Sequence, residues 1–198
     1  MIILGITGGV GSGKSRVLYE LSEKYDAYVI EADKLAHELM KKGGIIYNEV
    51  VKCFGMSVAD PDTGEIDRAR LGNIVFNDRQ KLELLNSISH PLVKEEIKRQ
   101  IEIKRLHGVK LFVIEAALLI QDGYREICDE IWYIYVGREE RQRRLMASRG
   151  YTPERCKSMF ESQESDEYYI NNADCIINNE KDYEITSKQI KAQLNKLL

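Results

Sequence analysis

Apolar positions along the 198-residue chain fall into two rhythms. Five short runs, "IILGIT" (2–7), "AYVI" (27–30), "LFVIEA" (111–116), "IWYIYV" (131–136) and "CIIN" (175–178), are almost continuously apolar and rich in β-branched or aromatic residues. That is the pattern of strands buried on both faces of a sheet. Between them lie longer segments with helical spacing, over 14–24, 33–42, 79–89, 91–107, 138–148, 153–167 and 183–197. In the first of these, Val17, Leu18, Leu21 and Tyr25 share one face. Strands that alternate with helices predict an α/β fold, a five-stranded parallel sheet crossed by helices on both faces.

The segment 35–107 is too long and too helical to be a single crossover, so it predicts an inserted helical lobe. Within it, "ADPDTGEID" (59–67) is a turn-rich connection, and Pro91 suits the first position of a helix. Residues 138–167 are charged and arginine-dense, with Gly150 and Pro153 separating two helices. Such a segment is either a solvated helical hairpin or a mobile lid. The remaining stretches, 1–34, 108–137 and 168–198, form the core.

Composition narrows the function. With 29 basic and 32 acidic residues the net charge is −3, so no nucleic acid or other polyanion is implied as a partner and any phosphate binding is local. Cys53, Cys128, Cys156 and Cys175 are widely spaced and form no metal-ligand or CxxC pattern. The N-terminus lacks the charged start of a signal peptide, and no apolar run is long enough to span a membrane. A cytoplasmic protein with no membrane contact and no obligate protein partner is the expectation.

One motif carries specific chemistry. "GGVGSGKS" (Gly8, Gly9, Val10, Gly11, Ser12, Gly13, Lys14, Ser15) fits GxxxxGK[ST], after a strand that ends at Thr7 and before a helix. Glycines let successive backbone N–H groups face an anion, and the helix N-terminus adds partial positive charge. In such a loop Lys14 reaches the outer phosphates of ATP and Ser15 offers its hydroxyl to the accompanying Mg2+. The fold is thereby a P-loop NTPase-type three-layer α/β fold. No NKxD motif is present, which favours a small-molecule kinase over a guanine-nucleotide switch.

Phosphoryl transfer also needs a group to take the proton of the attacking hydroxyl. "VIEADKLAHEL" (29–39) places Glu31 and Asp33 at the carboxyl end of the second strand, where open α/β sheets bind ligands. If 29–33 stays extended, the two acids project to the same side. Asp33 as the cap of a helix starting at Lys34 is the competing reading. Residue chemistry leaves both open.

"GITGGVGSGKS", "VIEADKLAHEL", "IDRARLGNIVF" (66–76), "LNSISHPLV" (85–93), "EAALLIQ" (115–121), "RRLMASRGYT" (143–152), "SQ" (162–163) and "ADCIINN" (173–179) together closely resemble dephospho-coenzyme A kinases. The resemblance runs from the first strand to about residue 180. It implies transfer of the ATP γ-phosphate to the ribose 3′-hydroxyl of dephospho-CoA, with Asp33 as the base and Glu31 beside the substrate. By the same resemblance 35–107 is a CoA-binding lobe in which Arg68 and His90 face the acceptor, and 138–167 is a lid; the competing readings are a surface ion-pair partner for Arg68 and, for His90, a buried histidine fixing the turn before Pro91. Arg149, then Arg144, are its candidates for phosphate contact, with Arg141 and Arg143 read as bystanders. Asn179 falls near the adenine, with a strand-end turn residue as the competing reading. Glu115, at the end of "LFVIE", has a Walker-B-like place and either serves Mg2+ through water or is a strand-end surface acid.

The chain departs from the family pattern in three places. "EAD" stands for "DAD", "ALLIQ" for "PLLFE", and Lys181 for a glycine. Gln121 matters most, because an amide replaces a carboxylate at a substrate-facing position. Two alternatives remain, a P-loop kinase for another alcohol and a non-catalytic ATP- or CoA-binding relative. Intact Lys14 and Asp33 argue against the second.

Overall fold

The computed structural model describes residues 1–198. Five strands, β1 (Ile2–Thr7), β2 (Tyr28–Glu31), β3 (Leu111–Glu115), β4 (Glu130–Tyr135) and β5 (Cys175–Asn178), form one parallel sheet in the order β2-β3-β1-β4-β5. Each lies within a residue of its sequence-predicted position. β1 is central, with Ile2 opposite Leu111 on β3 and Leu4 opposite Glu130 on β4. Tyr28 opens β2 with its ring against Phe112 of β3, centroids 5.4 Å apart.

The chain divides into two compact units. The first comprises Met1–Val29 and Lys104–Leu198. Its core is built from alternate strand residues Leu4, Ile6, Val113, Trp132, Ile134 and Ile177. Against them pack Val17, Leu18 and Leu21 of α1 (Lys14–Tyr25) and Ile190 and Leu194 of the C-terminal helix α9 (Tyr183–Leu197). A smaller cluster, Leu145, Cys156 and Phe160, joins α6 (Arg138–Arg149) to α7 (Pro153–Glu161). The predicted helix 153–167 is thus two: α7 ends at Glu161, and α8 (Asp166–Asn172) restarts with the Ser165 hydroxyl accepting from the Tyr168 N–H. A second N-cap within the segment is what divides it.

The second unit, Ile30–Ile103, is helical. It holds α2 (Ala32–Leu39), α3 (Ile45–Phe54), α4 (Arg68–Phe76) and most of α5 (Arg79–Leu106). α3 and α4 escaped the sequence reading. The intervening turn is closed by Asp60, whose Oδ1 accepts from the Asp62 and Thr63 N–H groups, and Asp67 caps α4. Pro91 does not begin a helix, as its position suggested, but lies inside α5. One lost N–H is tolerated because Ser89, Val93, Ile97 and Ile101 form a continuous buried stripe at four-residue spacing.

Candidate active site

The phosphate loop follows the central strand. Gly13 precedes α1 with φ 85°, the left-handed region, and a Cβ there would sit 2.5 Å from Asn179 Nδ2. Glycine is therefore demanded both by backbone angle and by a neighbour. α1 has neither a side-chain cap nor an acidic residue in its first turn, so its partial positive charge is unneutralised. Lys14 Nζ donates to the Gly8 carbonyl at 2.8 Å and lies 3.6 Å from Glu115 Oε1 at the end of β3. Ser15 is exposed in the same first turn.

Two buried hydroxyls here, Thr7 Oγ1 and Ser12 Oγ, have no hydrogen-bond partner. Such atoms in a polar loop mark a place completed by a bound group or water. The hard oxygen donors nearby, the Ser15 hydroxyl and the Glu115 carboxylate, suit a Mg2+ carried in on phosphate oxygens rather than held in a protein cage. No group of three His, Cys, Asp or Glu residues forms such a cage.

Asn179 is buried and its amide is committed. Nδ2 donates to the Ser12 carbonyl at 2.8 Å, and Oδ1 accepts from Thr186 at 2.9 Å. Its side chain braces the phosphate loop, an assignment that the strand-end motif did not disclose. Arg144 supports the same corner, donating to the Asn179 carbonyl at 2.8 Å and to Glu140 at 2.7 Å. Hydrogen bonds from Arg143 and Arg144 pull the Glu140 carboxyl down to about 2. Arg149 ends α6, exposed, with its guanidinium 5.9 Å from the Tyr151 ring. Arg141 is not surface charge, as the basic run suggested, but buried against the loop. Its spacing of four from buried Leu145 is the signal that would have found it. Gln163 was likewise missed as a loop residue: its Oε1 accepts from the Val10 N–H at 3.2 Å.

Gln121 is exposed, hydrogen-bonds Tyr169, and lines a hollow of about 500 Å³ with Ala117, Gln163 and Glu164. In the second unit the helix starts at Ala32, not Lys34, with Glu31 at the cap position. Residues 32 and 33 are therefore helical, and the extended-chain argument for both acids facing one way does not apply. Glu31 pairs with Lys34 at 2.7 Å, whereas Asp33 is exposed and makes no ion pair. Arg68, the first residue of α4, lines a hollow of about 320 Å³ with His37 and Lys41, while neighbouring Arg70 is the one paired to Asp67. His90 lies half-buried within α5, where no turn exists for it to fix.

The dephospho-CoA kinase family profile matches residues 2–184. The dephospho-CoA kinase of Carboxydothermus hydrogenoformans is 39% identical over 194 residues, 98% of this chain and 93% of that protein. A solved structure from Thermus thermophilus has a TM-score of 0.79 at 29% identity, covering 100% of this chain and 98% of that one. The structure of the dephospho-CoA kinase from Campylobacter jejuni gives 0.71 at 25% identity over 99% and 98%. A phosphate loop in the right setting and matches that run nearly end to end lead to one conclusion: this chain belongs to the dephospho-CoA kinase family.

Proposed function

We propose that the chain transfers the γ-phosphate of ATP to the ribose 3′-hydroxyl of dephospho-CoA, giving CoA and ADP. The observation that carries this reading is the unneutralised N-terminus of α1, with Lys14 held beside it, in a chain of this family. The hydroxyl oxygen forms a bond to the γ-phosphorus, the bond to the β–γ bridging oxygen breaks, and that electron pair leaves on ADP. Asp33 takes the hydroxyl proton; its carboxylate is exposed and spent on no ion pair.

Lys14 and the loop N–H groups offset charge on the phosphates. Ser15 and, through water, Glu115 would hold Mg2+, which would add further charge neutralisation when bound. Arg68, His90 and Glu31 hold the acceptor, and Gln121 borders it. Arg149, unconstrained by any ion pair, is the lid cation, while Arg144 works through its grip on the Asn179 corner. We assign the activity to the cytoplasm.

The test is a coupled ADP assay with and without dephospho-CoA and Mg2+, with the product analysed for a new 3′-phosphate. A panel of nucleosides serves as alternative acceptors. Tight binding of ATP and dephospho-CoA without product would instead identify a non-catalytic relative.

A further inference from the structure

Arg141 is the one buried arginine of the chain, with 7% of its surface exposed. Its guanidinium lies under the ring of Phe160, 5.0 Å from the centroid. Only Nη2 has a carboxylate partner, Asp166 Oδ1 at 3.2 Å. That same oxygen accepts the Tyr133 hydroxyl at 2.6 Å, from a side chain buried in β4 and stacked on Tyr169. The carboxylate is fixed from one side by tyrosine and fixes the guanidinium on the other.

The rest of the guanidinium is unspent. Nε is buried with no acceptor. Nη1 makes no hydrogen bond and abuts the phosphate loop, 1.8 Å from where a Cβ on Gly9 would lie. Gln163 Oε1, which holds the Val10 N–H, is 3.4 Å from the same point. Only the absence of a side chain at residue 9 lets the cation come this close. A buried guanidinium with most of its donors unused is costly unless an anion completes it.

We propose that Arg141 donates from its free edge to the phosphate chain of the bound nucleotide, with Asp166 and Tyr133 as positioning residues. This rests on the kinase reading above and adds to it a phosphate contact from the buried arginine of the 138–167 segment, beside the exposed Arg149. Arginine suits the place, since its planar fork serves Asp166 and the phosphate side together, which a lysine ammonium does not.

The experiment is calorimetric titration of ATP into the full chain without acceptor, for wild type, Arg141→Gln and Arg141→Lys, with thermal melts to establish folding. Arg141→Gln is expected to raise the ATP Kd about 10- to 100-fold, as loss of a charged hydrogen bond does, with Arg141→Lys between the two. Guanidinium added to Arg141→Ala is expected to restore part of the affinity. Asp166→Asn should raise the ATP KM severalfold with little change in kcat. An ATP Kd within twofold of wild type for folded Arg141→Gln overturns the proposal. So does a loss that neither lysine nor guanidinium recovers, because that marks a packing role. ATP binding is read without dephospho-CoA, so a chain that binds ATP through Arg141 yet phosphorylates nothing would refute the kinase reading and leave this one standing.

Discussion

Asn179 spans 2.8 Å to the Ser12 carbonyl, linking the end of the last strand to the phosphate loop after the first. Removing that amide leaves a loop carbonyl without its donor and opens the space against Gly13. Asn179→Ala is expected to weaken ATP binding about tenfold and to lower stability by about 1–3 kcal/mol. Titration and urea unfolding check the two halves separately. Thr186→Val, which deprives Asn179 Oδ1 of its partner, should show a smaller effect in the same direction.

Asp33→Asn removes the proposed proton acceptor while preserving shape. Turnover is expected to fall about 10²- to 10⁴-fold with little change in the KM of either substrate. Steady-state kinetics with ADP detection decide it, and near-normal turnover would remove Asp33 from the role.

Gly9→Ala puts a methyl group where Arg141 Nη1 lies. We expect the variant to lose at least about tenfold in ATP affinity, and adding Arg141→Ala to cost less than the sum of the two single losses. A double-mutant cycle on ATP Kd reads the coupling; strict additivity would show that the two residues do not meet.

Glu20 is buried between α1 and α9 and bonded to Ser187, Tyr183 and Lys24. Burial pushes its carboxyl up, and these hydrogen bonds together outweigh burial, so the group ends below its ordinary value. A lowered folded value means that the ionised Glu20 stabilises the fold fully above about pH 4.5, the unfolded value, and that this stability is lost as pH falls toward the folded value. Glu20→Gln should cost about 1–3 kcal/mol at pH 7 and progressively less below pH 4.5. Denaturant melts of both proteins from pH 3 to 7 measure it.

Pro91 leaves the Ser87 carbonyl without its usual helical N–H donor. Pro91→Ala is expected to stabilise the second unit by about 1 kcal/mol, seen as a higher Tm.

The strands were legible because buried parallel strands are unbroken apolar runs, and the loop was legible because few residue types at few spacings can cradle a phosphate. α3 and α4 were obscured by the turn-rich stretch between them, where the turn residue Asp60 and the α4 cap Asp67 both read as loop composition. The continuity of α5 was hidden by Pro91, since tertiary burial of Val93, Ile97 and Ile101 overrides a local signal. Arg141 was hidden for a different reason. Its neighbours Arg143 and Arg144 have the same chemistry, and only the position of Leu145 one turn later distinguishes the inward face. Asp33 kept its candidacy, but the local geometry first offered for it did not survive, because the helix begins one residue before it.

The central place of β1 has a consequence for synthesis. Its two neighbours, β3 and β4, are encoded roughly a hundred residues downstream. At ribosomal rates of about 5–20 residues per second, "IILGIT" waits on the order of ten seconds before either partner strand exists. For that interval the most apolar stretch of the nucleotide-binding unit has nothing to pair with. The nascent chain should therefore engage a chaperone through this strand, and its folding yield should depend more on translation speed between residues 30 and 110 than anywhere else.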